Sequence, residues 1–506
     1  MRRIFTLILI LYISFLHAQS PTPSPLHEFR GVWVATVANI DWPSKPGLTS
    51  EEQKRELLWI LDQHQRWNIN SIMLQIRPTA DAFYDQGNEL WSYYLTGEQG
   101  KAPNPLWDPL AFATGAAHAR SMELHAWFNP YRASQDLDPR KRSKDHISYK
   151  KPDWFFTYDN KTYFNPGIPE VREYIVSVIM DVVHRYDVDG IHFDDYFYPY
   201  PGKDPLPDSL TYLKYGKDHF QNIEDWRRDN VDQLIRQLHK EIQKAKPYVK
   251  FGISPFAIWR NKKEDPRGSD TNGFTSYDGL YADVYKWLEM GWVDYINPQI
   301  YFPFHYPPAA FEKLLDWWDS NSFGKQVLVG QAPYRALEGK NGWEDWSQLP
   351  RQVRTIRTKN NIHGSVYFSS KSLLNNLAGF SDSLRTDLYR HPSLPPPLKD
   401  RDFQPVKVPT NLYPTVIDRF VRLRWQWEPE SNKDDAYGFV VYRFEKDEPI
   451  RLEYGNNVIA IRFSQEKFYF DTTCEPGKQY TYVVRPMDRN KYLGPPSETV
   501  IVHMGR

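Results

Sequence analysis

Cysteine is almost missing. Cys474 is the only one in 506 residues, so no intrachain disulfide can form and the chain must hold its fold by packing. A charge excess is missing too: 63 basic and 63 acidic side chains cancel, and nucleic-acid binders normally carry a basic surplus or stripe. Nucleotide-phosphate loops of the G-x-G-x-x-G or G-x-x-x-x-G-K-[ST] type do not occur. Neither does H-E-x-x-H, a Cys cluster, a His pair at ligand spacing or G-x-S-x-G, so no metal or cofactor is expected and a serine nucleophile is disfavoured. After residue 18 no apolar run is long enough for a membrane span.

What the chain does have is aromatic side chains: 18 Trp, 33 Tyr and 28 Phe, 16% of the total. Flat rings with polar edges suit sugars, besides filling a large core. Arg2 and Arg3 precede an apolar run ending near Leu16-His17-Ala18. This is the pattern of a secretory signal peptide cut near Ala18, and it predicts export to the periplasm or the cell exterior.

The expected domains are the signal (1–18), a Pro-rich spacer (19–27), a long α/β region (28–390), a Pro-rich linker (391–407) and an all-β tail (408–506). In the long region eight strand-like runs alternate with helical patterns, at 30–37, 69–77, 124–131, 188–196, 250–259, 293–301, 326–333 and 364–369. Eight βα units in series predict a closed (β/α)₈ TIM barrel. In one helical pattern, 224–246, Trp226, Leu234, Ile235, Leu238 and Ile242 share a face. The tail has the strand spacing of a fibronectin type III-like sandwich, with Trp425 inside and Tyr480 as a corner tyrosine bonded back to the chain.

Barrel chemistry sits at the C-terminal strand ends. The fourth run, Val188-Asp189-Gly190-Ile191-His192-Phe193-Asp194-Asp195-Tyr196, is the richest. A carboxyl ringed by aromatics is costly without a task, and its pKa would be raised as a general acid requires. Asp194 and Asp195 are therefore the expected catalytic pair. Arg77, Trp127, Asn129, Tyr131, His192, Tyr196, Trp259, Arg260, Asn297, Gln299 and Tyr301, at the ends of other runs or beside this one, are expected to bind substrate. Asp81, Glu264 and Asp265 are further carboxyl candidates, and a 2-acetamido sugar could supply its own nucleophile. The segment 133–168 is long for a loop, basic at Arg140, Lys141, Arg142 and Lys144 and then aromatic, and is expected to form a lid or cleft wall for an anionic glycan. Two alternatives stand beside a glycosidase. One is a non-catalytic glycan-binding barrel, prompted by the missing second carboxylate. The other is a metal-dependent carbohydrate deacetylase drawing ligands from His27, His125, His192, Asp194 and Asp195.

Several motifs occur in order: Glu28-Phe29-Arg30-Gly31-Val32-Trp33-Val34, Phe128-Asn129-Pro130-Tyr131-Arg132, residues 188–199, Asp225-Trp226-Arg227-Arg228, Phe251-Gly252-Ile253-Ser254-Pro255-Phe256-Ala257-Ile258-Trp259-Arg260 and Asp294-Tyr295-Ile296-Asn297-Pro298-Gln299-Ile300-Tyr301. Together they resemble the bacterial glycosyl-hydrolase-like 10 family over about residues 28–390. The resemblance implies a secreted or envelope (β/α)₈ glycosidase. A family member cuts peptidoglycan strands stripped of stem peptides, which implies an N-acetylglucosamine and N-acetylmuramic acid polymer as substrate. The family's Asp-Asp after the fourth strand falls on Asp194 and Asp195. The fourth run is also similar to family 18 chitinases, but Tyr196 stands where their catalytic Glu would be, so their mechanism does not transfer.

Overall fold

The computed structural model describes residues 23–85, 87–399, 401, 406–428 and 436–505. The expected signal segment, 1–18, lies outside them. Eight parallel strands close into a barrel: β1 (Phe29–Val34), β2 (Ser71–Arg77), β3 (Glu123–Phe128), β4 (Gly190–Phe193), β5 (Lys250–Ile253), β6 (Tyr295–Ile296), β7 (Gln326–Gln331) and β8 (Ile362–Tyr367). Each pairs with its chain neighbours, and β8 returns to β1. Every residue of β1, β2 and β3 is buried. This is why the runs read as continuously apolar rather than alternating: parallel strands are covered on both faces.

All eight expected strands are present, and most are shorter at their C-terminal ends than their apolar runs. The helix Ile223–Ala245 buries the expected face, Trp226, Leu234, Ile235, Leu238 and Ile242. The last expected helix is broken. It starts at Ser370–Leu374 and then kinks where Asn376, Ala378 and Gly379 take positive φ of 49°, 52° and 69°. Asn and Gly tolerate this left-handed region and are poor helix formers, so the turn wins locally.

The barrel interior is filled by rings that need missing side chains beside them. Gly252 pairs with both His192 and Tyr295, and a Cβ on it would lie 2.0 Å from the Tyr295 ring. A Cβ on Gly190 would lie 2.4 Å from His125 Nδ1. In the space so left, a hydrogen-bond chain runs down the axis. Trp33 Nε1–H donates to His192 Nε2 at 2.9 Å. An indole only donates, so His192 carries its proton on Nδ1 and donates to the Tyr295 hydroxyl, 2.9 Å away. That hydroxyl donates to His125 Nδ1 at 3.0 Å, which leaves His125 Nε2–H for Glu123 Oε2 at 3.1 Å. Glu123 also takes Lys250 Nζ at 2.8 Å at the barrel's N-terminal end.

The tail is all-β. Strands Thr410–Ile417, Phe420–Gln426 and Phe468–Asp471 form one antiparallel sheet; Val458–Arg462, Gly438–Glu445, Gln479–Met487 and Val500–His503 form the other. Trp425 is buried against Phe439, and the Tyr480 hydroxyl accepts the Glu475 N–H at 3.0 Å, the back-bond expected of a corner tyrosine. The tail is docked under the barrel. Its Lys491, 1% exposed, reaches Glu123 Oε1 at 3.3 Å and Asp189 Oδ1 at 3.8 Å. The Pro-rich linker is pinned to the barrel. Leu394 exchanges backbone hydrogen bonds with Leu26 and Glu28, and Gln326 Nε2 donates to the Pro396 and Pro397 carbonyls. Proline keeps the chain extended, and its free carbonyls become acceptors for the barrel floor.

Candidate active site

At the C-terminal end of the strands a cleft of about 270 Å³ opens. Among the described residues, Asp194 and Asp195, just past β4, are its only carboxyl-bearing lining residues. Trp33 from β1 and Phe368 after β8 form the wall across the barrel, with Tyr301 and Tyr334 beside them. Trp127, Arg132, Tyr196, Tyr200, Ser254 and Gln299 complete the near side.

The two carboxyls are consecutive in sequence but held separately. Asp194 Oδ2 accepts from Asn129 Nδ2 at 2.5 Å and Asp194 Oδ1 from the Tyr196 N–H at 3.2 Å. Asn129 is itself aimed by Gln75, whose Nε2 donates to Asn129 Oδ1 at 2.5 Å while its Oε1 accepts the Thr36 and Val37 N–H groups. Asp195 accepts a short bond from the Tyr200 hydroxyl. Burial raises the Asp194 carboxyl above the usual range, against the pull of the Arg132 charge and the Asn129 bond. Asp195 is pushed up to about 7, by burial and by the Asp194 charge, against bonds from Tyr200 and Gln299. Two interacting carboxyls in a buried, aromatic-walled cleft are thus both harder to ionise than free ones, and Asp195 holds its proton to about 7.

The structure brings Asp194, Asp195, Trp127, Tyr196, Gln299 and Tyr301 together as sequence patterning expected, and displaces the rest. Asn129 contacts Asp194, not the cleft. His192 lies under the floor, capped by Trp33, and its pKa is held well below the usual value by burial. Asn297 is fully buried and also off the lining. Arg77 is locked in a two-pronged pair with Glu89, 2.6 Å on each arm, and donates to the Asn129 and Pro130 carbonyls. Tyr131 is fully buried in the main core. Trp259 stacks on Tyr285 at 4.7 Å outside the barrel and donates to Asp283; Arg260 pairs with Asp278 and Asp265. For Asn129, Tyr131, Trp259, Arg260 and Asn297 the cause is that the strands end at residues 128, 253 and 296, and past that point alternation no longer predicts where a side chain faces. Arg77 and His192 lie within β2 and β4 and are withdrawn by their partners, Glu89 and Trp33.

Of the further carboxyl candidates, Asp81 lies in a neighbouring recess, bonded to Thr79 and Gln99, and Asp265 is paired with Arg267. The postulated metal ligands are not assembled: His27 sits by Pro395 and His125 on the barrel axis. Among the described residues no group of three or more His, Cys, Asp or Glu side chains converges as a metal site. The loop after β3 folds back as a hairpin, Phe155–Tyr158 with Lys161–Phe164, and its basic run is largely spent on itself: Arg140 pairs with Asp138 and Lys141 with Asp136. Trp33, Phe368 and Tyr200 are lining residues the strand-end reading passed over. The signal for Trp33 was there, an indole one residue before the end of β1.

Comparison with known proteins places the chain in a family. Residues 28–348 match the family model described as Glycosyl hydrolase-like 10. The chain is 43% identical over 470 residues to Glycosyl hydrolase YngK of Bacillus subtilis (strain 168), covering 91% of each. It is 38% identical over 371 residues to Glycosyl hydrolase DigH of Escherichia coli (strain K12), covering 69% of this chain and 84% of the relative. The PgaB (BpsB) glycoside hydrolase domain from Bordetella bronchiseptica aligns with 71% of this chain and 98% of its own at a TM-score of 0.44 and 13% identity. A barrel with paired carboxyls past its fourth strand, a family model matched over most of its length and a 43% identical relative lead to one statement: the chain belongs to the glycosyl hydrolase-like 10 family.

Proposed function

We propose that this protein is an exported glycosidase that cuts an amino-sugar polymer, peptidoglycan glycan strands above all, with Asp195 as proton donor and Asp194 as its ionised partner. One observation carries this reading: among the described residues the only carboxyls lining the cleft are adjacent, both are raised, and the opposite wall is aromatic. An inverting mechanism needs a second carboxylate across the ring, about 6.5–9.5 Å from the acid, to activate water. Here that wall is Trp33 and Phe368, which stack sugars and move no protons. The 2-acetamido group of the substrate fills the gap. Asp195 protonates the leaving glycosidic oxygen as the C1–O bond breaks. The acetamido oxygen attacks C1, and Asp194, whose oxygens are already acceptors, takes the hydrogen bond from the acetamido N–H. Asp195, now ionised, removes a proton from water; the water adds to C1, the acetamido ring opens, and the configuration is retained.

Export is supported by Arg2, Arg3 and the apolar run that follows. The test is release of reducing ends from peptidoglycan strands freed of stem peptides. Asp195→Asn and Asp194→Asn should each lower the rate by about 10²–10⁴-fold with melting temperature unchanged. Full activity in either variant overturns the assignment. Unchanged cleavage of N-deacetylated strands overturns the role of the acetamido group. Retention of glycan with no product in the unmodified protein would leave a binding barrel.

A further inference from the structure

Arg132 is the one cationic residue lining the cleft among the described residues. It is 6% exposed. Of its five donors, Nε is committed to the Pro78 carbonyl at 3.0 Å, and neither terminal nitrogen bonds to a described residue. Its guanidinium carbon lies 5.2 Å from the centroid of the Tyr196 ring, which holds the plane in place from one side. The carboxylates nearby do not neutralise it by contact: Asp194 is bonded to Asn129 and the Tyr196 N–H, Asp195 to Tyr200. The contrast with the following loop is sharp, since Arg140, Lys141 and Arg142 all find partners there. A guanidinium this buried, with its terminal nitrogens unpaired at the cleft, is placed to receive a ligand, and the fork matches a carboxylate in two-pronged geometry.

We propose that Arg132 reads a carboxylate on the sugar bound in the cleft, so that the preferred substrate is an acidic amino-sugar glycan with that group free. The proposal rests on the glycosidase reading for its substrate class. The carboxylate has two chemical sources: the lactyl ether of muramic acid, uncharged once a peptide amide is attached, or a hexuronate ring. A neutral chitooligosaccharide lacks both.

The experiment compares the unmodified protein, Arg132→Gln and Arg132→Lys on four probes. These are stem-free peptidoglycan strands, the same strands with lactyl carboxylates converted to methyl amides, a chitooligosaccharide, and a hyaluronan fragment carrying glucuronate. Cleavage is read as kcat/KM, and binding is read separately as Kd in the Asp195→Asn background. The unmodified protein should favour one carboxylated probe over its neutral counterpart by about tenfold or more, the scale of a charged hydrogen bond. Arg132→Gln should erase that ratio: every probe slows, because the Arg132 charge favours ionised Asp194, but the carboxylated probe should lose about tenfold more than its neutral counterpart; Arg132→Lys should keep part of the ratio. The probe favoured identifies the source. Equal losses on charged and neutral probes would mean that Arg132 acts only through Asp194, and would overturn the proposal. So would an unmodified protein that favours neither the free lactyl strands over the amidated ones nor the hyaluronan fragment over the chitooligosaccharide. Carboxylate-dependent binding, lost in Arg132→Gln but without cleavage, would keep Arg132 and remove the glycosidase reading. Neither binding nor cleavage of any charged probe would remove both.

Discussion

Asn129 Nδ2 lies 2.5 Å from Asp194 Oδ2, and this contact turns a strand-end carboxyl into an aimed one. The amide has no role on the cleft lining. Its other end is fixed by Gln75, which the Thr36 and Val37 backbone holds in turn. Asp194 is therefore oriented by a relay from the first two strands.

Breaking that relay should slow turnover more than it weakens binding. In Asn129→Ala, kcat should fall by about 10–10²-fold with KM little changed, because a mispositioned group costs the transition state first. The bond from Asn129 favours the ionised form of Asp194, so its loss should also move the acid limb of the pH–rate profile to higher pH. An unchanged limb would show that Asn129 is only a packing residue.

The pH profile itself should be a bell. Asp195 must be protonated to donate, and its carboxyl is pushed up to about 7. Activity should fall as pH rises through that region. It should also fall on the acid side as Asp194 takes a proton and can no longer accept. The two apparent values belong to the pair. A rate that keeps rising well above pH 7 would contradict Asp195 as the acid.

The barrel axis gives a stability prediction. Gly252→Ala would put a Cβ within 2.0 Å of the Tyr295 ring, and overpacking of this kind costs about 1–3 kcal/mol or more. Tyr295→Phe would leave His192 and His125 each without a partner at Nδ1, at about 1–3 kcal/mol for each buried group. Urea unfolding of both variants measures the loss; no change in midpoint would refute the packed axis.

The tail should behave as part of the barrel. Lys491→Met removes a buried cation shared by Glu123 and Asp189, and losing one partner of such a network costs about 3–5 kcal/mol at most, less here because Lys250 and His118 stay. Asp189 is lowered to about 2, mainly by His118 and Lys491 acting against its burial. A lowered carboxyl stabilises fully above its unfolded value near 3.8 and loses that contribution as pH falls toward 2. The melting temperature of the unmodified protein should drop through this window, and Lys491→Met should flatten the drop.

The sequence by itself determined the eight repeats, the all-β tail and the strand that bears the carboxyl pair. Those signals are local: apolar period, turn chemistry and composition act over a few neighbouring residues. Tertiary structure decided which polar strand-end residues face the cleft. Asn129, His192, Arg77 and Arg260 belong to the same vocabulary as Gln299 and Arg132, yet a relay, a hydrogen-bond chain and two ion pairs withdraw them. It also decided that Trp33 and Phe368 would face Asp194 and Asp195, although they lie far from them in sequence, because closing the barrel sets β1 and β8 opposite β4. Hydrogen bonds and burial between distant segments are products of closure, and no window along the chain contains them.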